Sequence, residues 1–225
     1  MSNPVLLLHG FTGSVESTWN PTGIIELLND AGREVIAWDL PGHGSAEKHH
    51  EPELYADMEQ DLVARLPAGQ VDGVGFSMGA RTLLCMAAIA PEKFGKLVVA
   101  GVGRNLFERD EAQAERIAKG VQGDADQDDV HAQTFARYAA EPNQDGIALA
   151  AFMRRKHYPL GEEEFALINH PVRIVLGTED FAGPADPLVE ALSNSSFSEL
   201  KGCDHFATPK NFGFIDAVLE HLEVF

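Results

Sequence analysis

The sequence predicts an α/β protein with a mostly parallel, six-stranded sheet flanked by helices. Short apolar runs rich in Val, Ile and Leu alternate with longer segments of helical period, which is the pattern of βαβ units. The helical segments fall between the apolar runs, so helices are expected on both faces of the sheet. The 225 residues are 44% hydrophobic, enough for one large buried core.

The strands are expected at six apolar runs taken in chain order. These runs are 5–9, 34–38, 73–76, 97–102, 173–177 and 196–201. Five segments with apolar residues at i, i+3 and i+4 are expected to form the flanking helices. They are 24–31, 53–66, 78–90, 187–193 and 211–223.

One connection is much longer than the others. It runs from Gly103 to His170, between the fourth and fifth strands, where a dozen or two residues are usual. Three stretches within it have a helical period, 106–121, 128–140 and 146–157. We therefore predict a core of residues 1–102 and 171–225, with an inserted helical cap of residues 103–170.

Charge and composition limit the partners. The 35 acidic and 17 basic residues give a net charge of -18, which repels phosphate backbones and anionic lipid surfaces. No apolar run approaches the roughly 20 residues of a membrane span, and no secretory leader is evident. Two cysteines are too few for a disulfide framework, so a reducing compartment fits. The prediction is a cytoplasmic protein with a small-molecule substrate and neither nucleic acid nor membrane as a partner; oligomeric state is left open.

The first candidate site residue is Ser77, in Gly75-Phe76-Ser77-Met78-Gly79, where a predicted strand runs straight into a predicted helix. A serine nucleophile on such a turn is strained, and the flanking glycines are needed because a side chain there would clash with neighbouring backbone. The pattern alone is weak, and a serine that merely caps the helix is the alternative. The strand-to-helix context favours the nucleophile.

A serine needs a base, and His205 is the best placed of nine histidines. It follows the last predicted strand and precedes the last helix, which places it at the carboxyl edge of the sheet with Ser77. The adjacent His49, His50 and Glu51 could suggest a metal, but adjacent side chains diverge in direction and no partner motif occurs. We predict no metal and no cofactor.

Asp180 is the candidate for the carboxylate that orients His205, because it comes just after the fifth strand. Glu179 and Asp186 are neighbouring alternatives. They rank lower because a loop residue further from the strand end must bend back to reach the histidine.

The chain resembles the α/β-hydrolase superfamily in four segments spread over most of its length. The chain order serine, aspartate, histidine is the order of that family. Leu8-His9-Gly10-Phe11 is similar to its oxyanion loop, and the residues from Asp39 to Ser45 are similar to its Asp-x-Pro-Gly-x-Gly-x-Ser turn. The resemblance implies an α/β-hydrolase fold without the family's usual N-terminal hairpin.

The resemblance also assigns roles. It implies that the backbone N–H groups of Phe11 and Met78 form the oxyanion hole and that His9 and His43 are structural. The implied reaction is hydrolysis of a small-molecule carboxylic ester through an acyl-enzyme on Ser77. A non-catalytic receptor on the same fold is less favoured, because such proteins often lack a member of the catalytic set and none is missing here.

An alternative function rests on Arg81, one helical turn after Ser77. The segment from Ser77 to Arg81 is partly similar to that of the synthase that makes 2-succinyl-6-hydroxy-2,4-cyclohexadiene-1-carboxylate, in which the arginine helps to hold a polyanionic substrate. Arg155, with Arg154 and Lys156, could add a second carboxylate clamp from the cap. This alternative is a synthase-like or C–C bond cleaving enzyme for an anionic substrate. The simpler interpretation of these arginines is ordinary exposed helix charge.

Overall fold

The computed structural model describes residues 2–108 and 110–224 and contains one six-stranded sheet in the order β2-β1-β3-β4-β5-β6. All five strand pairs are parallel. The fold class predicted from the sequence is confirmed, with every pair parallel rather than most. The strands are β1 Val5–Leu8, β2 Val35–Trp38, β3 Val71–Phe76, β4 Phe94–Ala100, β5 Val172–Gly177 and β6 Ser195–Leu200.

The helices lie between the strands and after the last one. They are α1 Ile24–Asp30, α2 Met58–Ala64, α3 Met78–Ile89, α4 Glu111–Val121, α5 Val130–Ala139, α6 Gly146–Arg154, α7 Glu162–Leu167, α8 Asp186–Ala191 and α9 Phe212–His221. The predicted helix 53–66 is divided into a 3-10 turn, Pro52–Tyr55, and α2. Among the described residues, none of these helices has both the length and the apolar character needed to cross a membrane.

The sheet is buried on both faces because successive side chains of a strand point to opposite sides. Leu6 and Leu8 pack in the core on one face, together with residues of α2, α3 and α8. Val5 and Leu7 pack in the core on the other face, against α1 and α9. This arrangement explains why an inner strand such as β1 is a continuous apolar run. The edge strand β6 is largely exposed and is more polar.

The strand order reverses at β1, which has β2 on one side and β3 on the other. In open parallel sheets, binding crevices form outside the carboxyl ends of the strands at such a reversal. The residues that follow β1 and β3 include Phe11 and Ser77. The topology therefore gives a reason for the site to lie at this edge.

Helices α4 to α7 form a helical segment, residues 111–167, between β4 and β5. Part of it packs around its own apolar cluster, which includes Phe135 and Leu149. Helix α7 was not predicted, because one and a half turns are too short to show a period. The predicted helix 106–121 starts later, at Glu111, and residue 109 lies outside the described residues. The division into a core and a cap stays a prediction.

Candidate active site

Ser77 occupies a strained turn between β3 and α3. Its φ of 53° is in the left-handed region, which costs a non-glycine residue about 1–3 kcal/mol. Its N–H donates to the Ala100 carbonyl at 2.7 Å, and its own carbonyl accepts from the Arg81 N–H at 3.0 Å. The sheet and the helix thus hold the turn from both sides.

The two glycines flanking this turn are required by close packing. A Cβ atom at Gly75 would lie 2.6 Å from the Gly79 carbonyl oxygen, and one at Gly79 would collide with the Leu8 carbonyl oxygen. Because both obstacles are backbone atoms, they cannot move aside as a side chain would. This geometry agrees with the need for glycine at both positions that the sequence predicts.

Ser77, His205 and Asp180 are joined by hydrogen bonds. Ser77 Oγ lies 2.9 Å from His205 Nε2, and His205 Nδ1 lies 2.9 Å and 3.0 Å from the two carboxylate oxygens of Asp180. An ionised carboxylate accepts the Nδ1–H, which leaves Nε2 free to accept the serine proton. The His205 and Asp180 side chains are buried. The arrangement can therefore remove a proton from Ser77.

Asp180 is the carboxylate that contacts His205, as the sequence argument preferred. It directly follows the short turn after β5, and its Oδ1 also accepts from the Ala182 N–H at 2.8 Å. Glu179 and Asp186, the alternatives, are both exposed. The backbone bond from Ala182 fixes the carboxylate independently of the histidine.

The loop after β1 lies against the nucleophile. A Cβ atom at Gly10 would be 3.4 Å from Ser77 Cβ, so the chain that leads to Phe11 passes beside the serine. Met78 is the first residue of α3, and the N–H groups of a helix's first turn have no intrahelical partner. Phe11 therefore lies on a loop that passes beside Ser77, and Met78 follows Ser77 directly. That their N–H groups form the oxyanion hole is a proposal.

His9 and His43 are buried and neutral. Burial lowers the pKa of His9, and it lowers the pKa of His43 well below the usual value for a histidine. The Leu40 N–H donates to His9 Nε2 at 3.0 Å, while His9 Nδ1 donates to the Gly10 carbonyl at 2.8 Å. His9 therefore links the loops after β1 and β2, which agrees with a structural role.

Two cavities reach Ser77. The arginine cavity, about 210 Å³, is lined by Ser77, Arg81, Arg155 and mainly apolar side chains, and none of the described residues that line it carries a carboxylate. The histidine cavity, about 120 Å³, is lined by Ser77, His205 and the hydroxyl side chains of Ser17 and Thr18 among others. The rings of Phe11 and Phe135 line both cavities and lie 5.7 Å apart.

Arg81 and Arg155 share one counter-ion, Glu59 of α2. Glu59 Oε1 is 3.3 Å from Arg155 Nη2 and 4.0 Å from Arg81 Nη1, and the Glu59 side chain is fully buried. Arg81 Nη2 also donates to the Tyr158 carbonyl at 2.6 Å. Two guanidiniums against one carboxylate leave this end of the arginine cavity positively charged.

Arg155 is not the exposed helix charge that the simpler interpretation expected. It is 4% exposed, its guanidinium lies 3.8 Å from the centre of the Phe152 ring, and burial lowers its pKa to about 10 despite the attraction of Glu59. Arg154 does form an exposed ion pair, with Glu115. Glu59 is not identified from the sequence above. Its place between the buried Met58 and Leu62 of α2 is the signal that could have identified it.

The histidines at 49 and 50 do not meet at a common site. His50 contacts Asp145 at 2.9 Å and His49 contacts Glu47 at 3.6 Å. Within the described part of the chain, no three His, Cys, Asp or Glu side chains are grouped so that they could hold a metal ion.

Comparison with known proteins gives one family and several relatives. The family model described as alpha/beta hydrolase fold matches residues 3–164. Esterase YbfF of Escherichia coli is 33% identical over 103 residues, 43% of this chain and 37% of the esterase, so the match spans little more than a third of that relative. The 2-hydroxy-6-oxononadienedioate/2-hydroxy-6-oxononatrienedioate hydrolase 1 of Pseudomonas putida is 25% identical over 90% of this chain and 81% of its own.

The fold also matches solved structures. A carboxylesterase from Nitrososphaera gargenis superposes with a TM-score of 0.74 at 19% identity, over 99% of this chain and 90% of the other. At this identity the likeness bears on the fold alone.

Proposed function

Because the chain belongs to the alpha/beta hydrolase fold family, we propose that it is a serine hydrolase that cleaves a small-molecule carboxylic ester through an acyl-enzyme on Ser77. The hydrogen-bonded series Ser77, His205 and Asp180 carries this proposal. An esterase among the relatives supports the same bond type. Cytoplasmic location and a small-molecule substrate, without nucleic acid or membrane, are part of the proposal and rest on the net charge and composition.

The proposed reaction starts when His205 Nε2 takes the proton of Ser77 Oγ as that oxygen attacks the ester carbonyl. Asp180 stabilises the imidazolium that forms. The N–H groups of Phe11 and Met78 are proposed to hold the oxyanion, and removing one such donor typically costs about 10²–10³ in turnover. His205 then protonates the alcohol, and water repeats the cycle on the acyl-enzyme.

A second candidate is hydrolysis of a C–C bond, or a synthase-like elimination, on an anionic substrate. It is favoured by Arg81 and Arg155, which line the arginine cavity beside Ser77 and, within the part of the chain that the structure describes, share the single carboxylate of Glu59. The Pseudomonas putida relative is named as a hydrolase of dioates, which are dicarboxylates. The two candidates share the nucleophile and base and differ in the charge of the substrate.

The test is turnover of p-nitrophenyl esters of increasing acyl length by the wild-type chain and by Ser77→Ala. We expect a loss of about 10³-fold or more in kcat with an unchanged urea unfolding midpoint, since only the nucleophile is removed. Ser193→Ala, at an exposed serine, is the matched control and should keep full turnover. Near-wild-type turnover by Ser77→Ala would refute the proposal. Running 2-hydroxy-6-oxononadienedioate, the dicarboxylate in the name of the Pseudomonas putida relative, beside the esters separates the two candidates.

A further inference from the structure

The two cavities at Ser77 differ in their access to the general base. His205 lines the histidine cavity and does not line the arginine cavity. The Phe181 ring, which lines the arginine cavity, packs on the imidazole with 4.2 Å between ring centres. Phe181 thus covers the imidazole on the arginine side, while on the other side the imidazole lines the histidine cavity together with Phe76 and Phe206, whose rings also contact it.

This asymmetry orients the substrate. When the tetrahedral intermediate collapses, the bond between the carbonyl carbon and the alcohol oxygen breaks, and that oxygen takes the proton that His205 received from Ser77. The alcohol must therefore lie on the side where the imidazole is accessible. The acyl group stays bonded to Ser77 Oγ and takes the remaining space.

We propose that the histidine cavity is the leaving-group site, that the arginine cavity is the acyl site, and that the enzyme prefers esters of small hydroxylated alcohols. This inference rests on the serine hydrolase function proposed above. It assigns each half of the ester to one cavity, and it names the chemistry of the alcohol.

The side chains that line the histidine cavity indicate the chemistry of the alcohol that would occupy it. Beside Ser77 and His205, the histidine cavity carries polar side chains, with Glu141 and Lys210 exposed to solvent. These polar lining residues are Thr12, Ser17, Thr18, Tyr138, Glu141 and Lys210. Hydroxyl groups that line a small cavity can donate to and accept from an alcohol's second hydroxyl.

The volumes order the two cavities by size. The histidine cavity is about 120 Å³ and the arginine cavity about 210 Å³, so the smaller half of the ester is assigned to the histidine cavity. A 2-hydroxyethoxy leaving group is small and carries a second hydroxyl. A propoxy leaving group has the same number of non-hydrogen atoms but no second hydroxyl, and the two form a matched pair of probes.

The size assignment can be tested by widening each cavity separately. Tyr138 lines only the histidine cavity, and Ile117 lines only the arginine cavity; both are in the helical segment. Rates of acid release in a pH-stat would be measured for propyl butanoate, hexyl butanoate and propyl octanoate. Tyr138→Ala should raise kcat/KM for hexyl butanoate relative to propyl butanoate by about tenfold. Ile117→Ala should raise kcat/KM for propyl octanoate relative to propyl butanoate by about the same factor.

The crossed design makes each outcome decisive. A gain for octanoate in Tyr138→Ala and for the hexyl ester in Ile117→Ala would reverse the assignment. Unchanged preferences in both variants would overturn it, because neither cavity would then contact the substrate.

The polarity assignment has its own probe pair. The wild-type chain should cleave 2-hydroxyethyl butanoate about tenfold better than propyl butanoate, and Thr18→Val, which replaces a hydroxyl by a methyl group of similar size, should lower this ratio. A preference for the propyl ester in the wild-type chain would overturn the hydroxylated-alcohol class.

Failure of the underlying function gives a different pattern. If the wild-type chain releases no acid from any ester, and a fluorophosphonate that labels serine nucleophiles adds no mass at Ser77, the serine hydrolase proposal itself is rejected, and the leaving-group site with it. Turnover with misplaced preferences rejects only the assignment of the cavities.

Discussion

Two buried carboxylates near the same nucleophile each contact a basic side chain, and the two contacts have different origins. Asp180 and His205 both come from loops at the carboxyl ends of sheet strands, and they are held 2.9 Å apart within the core. Glu59 comes from α2 and Arg155 from the end of α6 in the helical segment, and the two side chains are 3.3 Å apart. The first contact prepares chemistry at Ser77. The second ties the helical segment to the core and sets the charge of the arginine cavity, so each can be changed without the other.

The largest expected effect is on the catalytic side. Asp180→Asn should lower kcat by about 10⁴-fold, because an amide can no longer hold His205 in the tautomer that accepts the serine proton. Steady-state ester turnover is the measurement. Glu179→Gln and Asp186→Asn, at exposed neighbours, should stay within about twofold. If Asp186→Asn proved the damaging change and Asp180→Asn the harmless one, the assignment of the carboxylate would be wrong.

The next effect is on stability. Glu59→Gln should cost about 3–5 kcal/mol in the free energy of unfolding, because it leaves the buried Arg155 without its charged partner. Urea unfolding measures this cost. The double variant Glu59→Gln with Arg155→Met should recover most of it, since both charges are then absent. A single variant as stable as the wild-type chain would mean that the contact does not tie the helical segment to the core.

A smaller effect on stability is expected from pH. It acts through His9 and His43, which lie in the loops after β1 and β2. The His43 ring lies 4.9 Å from that of Phe152, in the helical segment. Burial lowers the pKa of both histidines from 6.5, so below that pH the unfolded chain binds more protons at these positions than the folded chain does.

The free energy of unfolding should therefore fall as the pH drops below about 6.5. Each histidine contributes a loss of up to about 1.4 kcal/mol per pH unit. His221, whose pKa burial also lowers, adds to the same trend. Urea midpoints at pH 7.5, 6.5 and 5.5 measure it, and His43→Gln should flatten the slope. Equal stability at all three pH values would contradict the prediction.

The smallest effect sharpens the choice between the two candidate functions. Arg81→Ala should change kcat/KM for short neutral esters by less than about threefold, because no charge on the substrate needs a partner. For an anionic substrate the same change should raise KM by the equivalent of about 2–5 kcal/mol. A large loss confined to anionic substrates would favour the second candidate over the ester hydrolase.

Much of the sheet and of the catalytic edge could be predicted from sequence. A strand buried on both faces is a continuous apolar run, and its carboxyl end defines where Ser77 and Asp180 can meet. These are local signals. Each of the six predicted strands overlaps an observed one, although β3 and β4 begin two and three residues earlier than predicted.

The arginine cluster could not be predicted in the same way. Arg155 looks like any charge at a helix end, and the place of Glu59 on the apolar side of α2 indicates its burial but not its partner. Their burial depends on how the helical segment packs over α2, and spacing along the chain carries no information about that contact. Helix α7 was missed for a related reason, because a six-residue helix is stabilised mainly by what it packs against.

The charge of the arginine cavity opposes that of the whole protein. With a net charge of -18, the chain repels an approaching anion over a distance of about 10 Å at 0.1 M salt. Added salt screens this long-range repulsion but acts much less on the buried arginine cluster. The association rate of an anionic ester should therefore rise with ionic strength while that of a neutral ester stays constant, so the salinity of the surroundings would select between substrates that fit the cavity equally well.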